Sequence, residues 1–68
     1  MKFNERLKEL RNKNGITQAN MAEQLGISAR AYQHYETGTR EPNIDKLIKL
    51  AIILNVSLDD LLCKNDYN

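Results

Sequence analysis

The sequence predicts an all-α fold, a compact bundle of five helices, and three observations support this prediction. No stretch alternates apolar and polar residues in the way that a half-buried strand does. Apolar residues instead recur at spacings of three and four along most of the 68-residue chain, which is the pattern of amphipathic helices. Capping residues, glycines and a single proline divide this pattern into five segments.

Capping residues and helix breakers set the expected limits of these helices. Side-chain oxygens that can accept a hydrogen bond from a first helical turn precede the last four segments, at Thr17, Ser28, Asn43 and Ser57. Residues that end a helix or prevent its continuation stand at Gly15, Gly26 and Pro42. The predicted helices therefore span 3–13, 18–25, 29–36, 44–54 and 58–63, and a frayed tail follows at 64–68.

Length and composition restrict the possible functions. A chain of this length suits one domain, 1–68, with a small core. One cysteine, Cys63, and one histidine cannot supply a four-ligand zinc site or an internal disulfide. No apolar run is long enough to cross a bilayer. We therefore expect a cytoplasmic protein with no cofactor, no metal, no membrane partner and no evident small-molecule ligand.

The charge distribution is uneven, although the net charge is only +1. Residues 1–40 contain seven lysines and arginines against four acids, whereas residues 41–68 contain three lysines against five acids. The first part of the chain is therefore the better candidate for contact with an anionic partner.

The third predicted helix has one polar face. At 100° per residue, Gln33, Arg30 and His34 lie at about 40°, 100° and 140° from Ala29. Its apolar face, at about 200° to 300°, carries Ala31, Tyr32 and Tyr35. The two tyrosines are thus predicted to anchor the helix in the core, with hydrogen-bonding side chains outside. Because Gly26 joins this helix tightly to the second, the pair has the layout of a helix-turn-helix, whose second helix enters the DNA major groove.

The segments TQANMAEQLGISARAYQHYETGTREP and LIKLAIILNVSLDDLL resemble the phage Cro/repressor, or XRE-like, helix-turn-helix family over roughly residues 3–62. The resemblance rests on a combination of features: Thr-Gln before the second helix, Ala22, Gly26, Glu36, Gly38, Pro42 and the Leu-x-x-Leu-Ala-x-x-Leu-x-Val-Ser-Leu pattern. It implies a lambda-repressor-like five-helix bundle that binds operator DNA as a symmetric dimer.

The resemblance also implies roles for individual residues. Base reading is implied for Ala29, Arg30, Gln33 and His34, although Ala29 brings only a methyl group. Phosphate contact is implied for Thr17, Gln18, Ser28, Thr37, Thr39, Arg40 and Asn43, and Gln18 would also buttress the first reading residue. Arg11 and Glu36 match a partly buried salt bridge. The wheel of the first helix supports this pair, because it places Arg11 beside the apolar stripe.

The predicted fourth helix has apolar residues both inside and outside its core stripe. On the helical wheel of the fourth helix, the predicted core stripe is centred near Ile44 and also contains Leu47, Ile48, Ala51 and Leu54. The predicted core residues of the fifth helix are Leu58, Leu61 and Leu62. Ile52 and Ile53 fall outside the stripe. We therefore predict a two-fold dimer interface built from Ile52, Ile53, Val56, Leu58 and Leu61.

These observations predict a cytoplasmic, sequence-specific regulator of transcription, a repressor that binds a near-palindromic operator as a dimer. Two alternatives use the same scaffold: an antitoxin-like regulator, and a protein-interaction module that has lost DNA binding. An enzyme is not expected, because the chain shows no paired acids, no nucleophile with a base, no phosphate loop and no metal ligands.

Overall fold

Side-chain caps account for where four of the five described helices begin. The computed structural model describes residues 2–63, which form five helices: α1 (Phe3–Lys13), α2 (Gln18–Leu25), α3 (Ala29–Thr37), α4 (Ile44–Leu54) and α5 (Leu58–Leu61). Each N-cap of α2 to α5 accepts a backbone N–H three residues later, at 2.9–3.1 Å. The predicted all-α, five-helix fold is therefore confirmed.

Two helix ends differ from the prediction. α3 continues through Thr37 before Gly38 takes the left-handed conformation. α5 ends at Leu61, because the chain passes through a turn to Cys63, whose positive φ of 56° is incompatible with a right-handed helix. The predicted frayed tail, 64–68, lies outside the described residues.

The turn between α2 and α3 consists of three residues. Gly26 adopts φ 72° and ψ 30°, a conformation that a residue without Cβ reaches at little cost. The Ile27 amide then donates to the Ala22 carbonyl at 3.0 Å, and Ser28 caps α3. This turn lets α2 and α3 pack against each other and leaves one side of α3 outside the bundle.

The core lies where all five helices meet. Its buried members are Leu7, Leu10, Met21, Ala22, Leu25, Tyr32, Leu50, Ala51, Leu54 and Leu61. Tyr32 is completely buried, and its ring meets that of the half-buried Tyr35 edge to face, with centroids 6.2 Å apart. The two tyrosines thus anchor α3, as the wheel predicted.

The predicted core stripe of α4 was wrong in part. Ile44 and Ile48 are 73% and 43% exposed, whereas Leu50 is buried and Ile53 packs against the core. Eight of the eleven residues of α4 are apolar, so its wheel allows more than one stripe. Packing against α2 and α5 selects the stripe that contains Leu50 and Leu54.

A search of the described residues for a membrane-spanning segment found no helix with the necessary length and apolar character.

Candidate nucleic-acid interface

The outer face of α3 is polar and accessible. Ala29, Arg30 and Gln33 are exposed, and His34 is half-exposed. Within residues 2–63, neither the Arg30 guanidinium nor the His34 imidazole makes a hydrogen bond or ion pair, so both retain their full capacity to bind another molecule. The structure thus brings together, on one side of a rigid helix, the four residues predicted to read bases.

A buried ion pair fixes α3 against α1. Arg11 Nε donates to Glu36 Oε2 at 2.5 Å, and Arg11 Nη2 donates to Glu36 Oε1 at 3.2 Å. The remaining terminal nitrogen, Nη1, donates to the Ile16 carbonyl at 2.7 Å. Both residues are only 8% exposed, so the pair holds its geometry away from solvent. Through Arg11, the pair also links α3 to the turn that precedes α2.

Two further donors complete the surroundings of the Glu36 carboxylate. The Tyr32 hydroxyl donates to Oε2, and Gln18 Nε2 donates to Oε1 at 3.0 Å. Sequence reasoning missed the part played by Tyr32. Its spacing of four residues from Glu36 on one helix was the available signal, because residues at i and i+4 are neighbours on a helix surface.

These contacts shift the pKa of each member of the network. Burial acts to raise the pKa of Glu36, but hydrogen bonds from Arg11, Tyr32 and Gln18 outweigh it and keep the pKa below its ordinary value. Burial, followed by the hydrogen bond to Glu36, raises the pKa of Tyr32. The hydrogen bond to Glu36 raises the pKa of Arg11. Glu36 is therefore an ionised, acceptor-only group in the folded protein at neutral pH.

Gln18 has a different partner from the one predicted. Ala29, the first reading residue, has no side-chain polar atom, so it offers Gln18 nothing to buttress. Gln18 Oε1 instead accepts from Gln33 Nε2, one turn further along α3, at 3.4 Å. Gln18 thereby connects the buried carboxylate of Glu36 with an exposed side chain of the predicted reading face.

Three of the predicted phosphate-contacting residues, Thr17, Ser28 and Asn43, are helix N-caps. Each is exposed, and each uses a side-chain oxygen to accept from the backbone. The hydroxyl hydrogens and the amide hydrogens of these caps do not take part in capping, so they remain available to donate to an anion. The positive ends of α2, α3 and α4 lie at the same positions and favour negative charge there.

The other predicted phosphate contacts surround the end of α3. The hydroxyls of Thr37 and Thr39 are 2.9 Å apart, and the Thr37 hydroxyl donates to the His34 carbonyl at 3.3 Å. Arg40 follows in an exposed position, where its backbone amide also donates to the His34 carbonyl, at 3.2 Å. Its guanidinium makes no hydrogen bond or ion pair with the rest of residues 2–63. Arg40 thus places an exposed positive charge, with no partner among residues 2–63, at the end of a hydrogen-bonded segment.

The residues predicted to form a dimer interface are not all on the surface. Ile52 is 72% exposed, Leu58 is 40% exposed and Val56 is half-buried. Two placements need correction. Leu61 is completely buried within the chain, and Ile53 lies partly buried against the core. Neither side chain presents a large surface to a second subunit.

Sequence reasoning also missed two exposed isoleucines on this side. Ile44 and Ile48 precede Ile52 by eight and four residues, so the three form a continuous apolar ridge along α4. The ridge borders a shallow groove of about 530 Å³, which Ile48, Ile52, Val56 and Leu58 help to line. The signal was present in the sequence, since an i, i+4, i+8 spacing of isoleucines also defines a helix face.

Comparison with known proteins agrees with this geometry. The chain matches a family model described as helix-turn-helix over residues 7–61. The chain belongs to the helix-turn-helix family. Within that family it is of the Cro/repressor, XRE-like type that the sequence motifs indicated.

Two curated members of the family illustrate the similarity. The uncharacterized HTH-type transcriptional regulator YqaE of Bacillus subtilis is 52% identical over 60 residues, which cover 88% of this chain and 52% of that protein. The cryptic phage CTXphi transcriptional repressor RstR of Vibrio cholerae is 43% identical over 61 residues, which cover 90% of this chain and 54% of RstR. The chain therefore spans about half the length of the curated relatives it matches.

Among solved structures, this helix-turn-helix chain resembles the P22 c2 repressor in complex with a synthetic operator. The TM-score is 0.84 at 34% sequence identity, and the match covers 91% of this chain and 94% of the P22 chain.

Proposed function

We propose that this helix-turn-helix chain is a cytoplasmic, sequence-specific regulator of transcription, a repressor that binds double-stranded DNA with α3 in the major groove. The observation that carries the proposal is the outer face of α3, where Arg30, Gln33 and His34 are accessible beside the small residue Ala29. The P22 c2 repressor, which has the same fold, is described in complex with an operator.

The dimensions of DNA suit this face. A major groove is about 12 Å wide and admits one α-helix, and Ala29 lets the start of α3 approach the base edges closely. Arg30 can donate two hydrogen bonds to guanine O6 and N7. His34 can donate to a guanine acceptor, and the Ala29 methyl can contact a thymine methyl. These contacts would supply sequence preference.

Phosphate contacts would position the helix in the groove. The exposed donors of Thr17, Ser28 and Asn43 stand at the positive ends of three helices, and Arg40 adds a charge after α3. Gln18, Thr37 and Thr39 complete the proposed set. With a net charge of +1, the protein would depend on hydroxyl, amide and backbone donors more than on many basic side chains.

Duplex selection from a random-sequence pool tests the proposal. Binding should weaken steeply with salt, because phosphate contacts release counterions. Arg30→Ala should lose about 1–3 kcal/mol on the selected duplex and relax the preference at one base pair. Lys8→Ala, which removes an equal charge from an exposed position of α1, is the matched control. Absence of duplex binding at low salt, together with capture of a protein partner, would favour the interaction-module or antitoxin-like alternatives.

The proposal includes a homodimer whose two subunits meet through the ridge of Ile44, Ile48 and Ile52 and the adjacent Leu58 and Val56. Exposed isoleucines at this spacing are costly to leave in water, and the groove beside them can receive an isoleucine from a second copy. To bind a palindromic operator, such a two-fold dimer would have to hold its two copies of α3 about 34 Å apart, one turn of DNA.

Sedimentation of Ile52→Ser tests this interface. The variant should shift the protein toward monomer and weaken binding to a palindromic duplex more than to an isolated half-site. Lys49→Ser, an exposed change on the same helix, should leave both measurements unchanged. Wild-type protein that stays monomeric at high concentration and on DNA would refute the dimer.

A further inference from the structure

A chain of hydrogen bonds runs from the interior of the protein to its proposed DNA-reading face. It begins at the ionised carboxylate of Glu36, passes through the side-chain amide of Gln18 and ends at the exposed amide of Gln33. Gln18 Nε2 lies 3.0 Å from Glu36 Oε1, and Gln33 Nε2 lies 3.4 Å from Gln18 Oε1.

The charge of Glu36 determines the orientation of the side-chain amides of Gln18 and Gln33. An ionised carboxylate can only accept hydrogen bonds, so the Gln18 atom that faces it must be the NH₂ group. The Gln18 carbonyl then points away from the core, toward α3. A carbonyl also only accepts, so the Gln33 atom that faces it must be an N–H donor. The two donors from Arg11 keep Glu36 ionised, so Gln18 would lose its hydrogen bond to the carboxylate if its amide turned the other way.

The arrangement leaves Gln33 with a defined outer edge. Gln33 is exposed, and one N–H of its amide is taken by Gln18, whereas its carbonyl oxygen and second N–H have no hydrogen-bond partner within residues 2–63. An adjacent acceptor and donor match the N6 donor and N7 acceptor of adenine in the major groove. On the outer face of α3, Gln33 is the side chain within residues 2–63 that hydrogen-bonds Gln18, since Ala29, where the family resemblance implied that contact, has no polar atom.

We propose that Glu36, acting through Gln18, holds Gln33 in the orientation that reads adenine. Glu36 and Gln18 are positioning residues, and Gln33 is the residue that touches the base. This inference rests on the proposed function, because it requires α3 to lie in the major groove. It assigns adenine, and no other base, to the position that Gln33 contacts.

The experiment uses a duplex selected from a random pool by the wild-type protein, with every base pair then replaced singly by the other three. Fluorescence anisotropy measures each affinity for the wild type and five variants. Gln33→Ala should abolish a preference for adenine, about 5- to 150-fold, at one position. Gln18→Met keeps the length of the side chain but breaks the chain of hydrogen bonds from Glu36 to Gln33. It should reduce the same preference about 2- to 10-fold, because the Gln33 amide then has to be ordered on binding.

Controls separate orientation from general weakening. Gln24→Met removes an exposed glutamine of α2 whose side-chain amide donates to Asn20, its one side-chain partner within residues 2–63, and it should leave the preference intact. A merely structural role for Gln18 would weaken all duplexes equally without changing the ratio between bases. In the Gln33→Ala background, Gln18→Met should have no further effect on that ratio. Glu36→Gln, if it folds, should act like Gln18→Met, because an amide at position 36 accepts either orientation of Gln18.

Each outcome decides a separate question. Failure of the wild type to bind any duplex at low salt would refute the proposed function. Selection of a duplex in which Gln33→Ala changes no base preference, or in which the affected position is not adenine, would refute this inference alone. If Gln18→Met retains the full adenine preference, Gln33 would still contact the base, but the proposal that Glu36 and Gln18 orient it would be refuted.

Discussion

Replacement of Arg11 by methionine should expose how far the fold depends on its buried ion pair. Arg11 provides two of the hydrogen bonds received by Glu36 and one to the Ile16 carbonyl. Without it, an almost completely buried carboxylate keeps only the neutral donors Tyr32 and Gln18. Loss of one partner from a buried pair costs about 3–5 kcal/mol. The free energy of unfolding is about 0.05–0.15 kcal/mol per residue, which gives roughly 3–10 kcal/mol for a chain of this length. Arg11→Met should therefore lose a large part of the stability of the fold.

The pH dependence of the variant should have the opposite sign to that of the wild type. In the wild type the folded pKa of Glu36 lies below its ordinary value of 4.5, so the stabilisation is present above that pH. It is lost as the pH falls through the folded pKa. In Arg11→Met, burial dominates and the folded pKa rises above 4.5. Protonation then favours the folded state, so stability should increase as the pH falls from neutral toward 4.5.

Urea denaturation followed by far-ultraviolet circular dichroism, at neutral pH and near pH 4.5, measures both effects. The double variant Arg11→Met with Glu36→Leu is the control, and it should recover most of the lost stability because no buried charge remains. A loss below about 1 kcal/mol for Arg11→Met, or an unchanged sign of the pH dependence, would show that solvent reaches the carboxylate and that the reasoning is wrong.

Substitutions at three further positions separate effects on local structure from effects on DNA contact. Ser28→Ala should cost about 1 kcal/mol of folding free energy in urea denaturation through loss of the α3 cap. Ser28→Asp should keep the cap but weaken every duplex in a binding titration by repelling phosphate; unchanged affinity would remove Ser28 from the interface. Gly38→Ala should lower stability by about 1–2 kcal/mol, because its φ is 83°, and Gly38→Asn should cost less. Equal stability of both variants would contradict a left-handed turn. Arg40→Ala should reduce the slope of log affinity against log salt by about 1 and weaken all duplexes alike; altered base preference would indicate base reading instead.

The exposed ridge of α4 has a consequence for folding as well as for assembly. Ile44 and Ile52 are each more than two-thirds exposed, so they contribute little to the stability of a single chain. If the ridges of two subunits bury each other in a dimer, stability should rise with protein concentration, because only folded chains associate and association stabilises them. The Ile52→Ser variant described above should then lose that concentration dependence.

Much of the fold could be predicted because its determinants are local. Caps and glycines act within one turn of chain, which is why the starts of α2 to α5 agree with the structure at every one of Thr17, Ser28, Asn43 and Ser57. The predicted end of α5 at residue 63 was wrong, because the end of that helix depends on the conformation of Cys63, which carries no sequence signal for a positive φ.

The proposed site was only partly accessible to the same reasoning. The wheel of α3 separated Arg30, Gln33 and His34 from Tyr32, because that helix has one polar face. The bond between Gln18 and Gln33 joins residues fifteen positions apart on two helices, and it depends on how closely α2 and α3 pack. No periodicity within either helix encodes that distance.

The sequence by itself determined the number of helices, the residues at which they start and the tight turn before α3. It also indicated that Arg11, a charged residue beside the apolar stripe of α1, needs a partner of opposite charge. These features follow from interactions within a helix or between neighbours in the chain. Only the packed structure decided which side of α4 is buried, and hence that Ile44 and Ile48 face outward with Ile52. It also decided the partner of Gln18. Both depend on how helices distant in sequence share one small core, where each buried stripe is chosen by the space that the other helices leave.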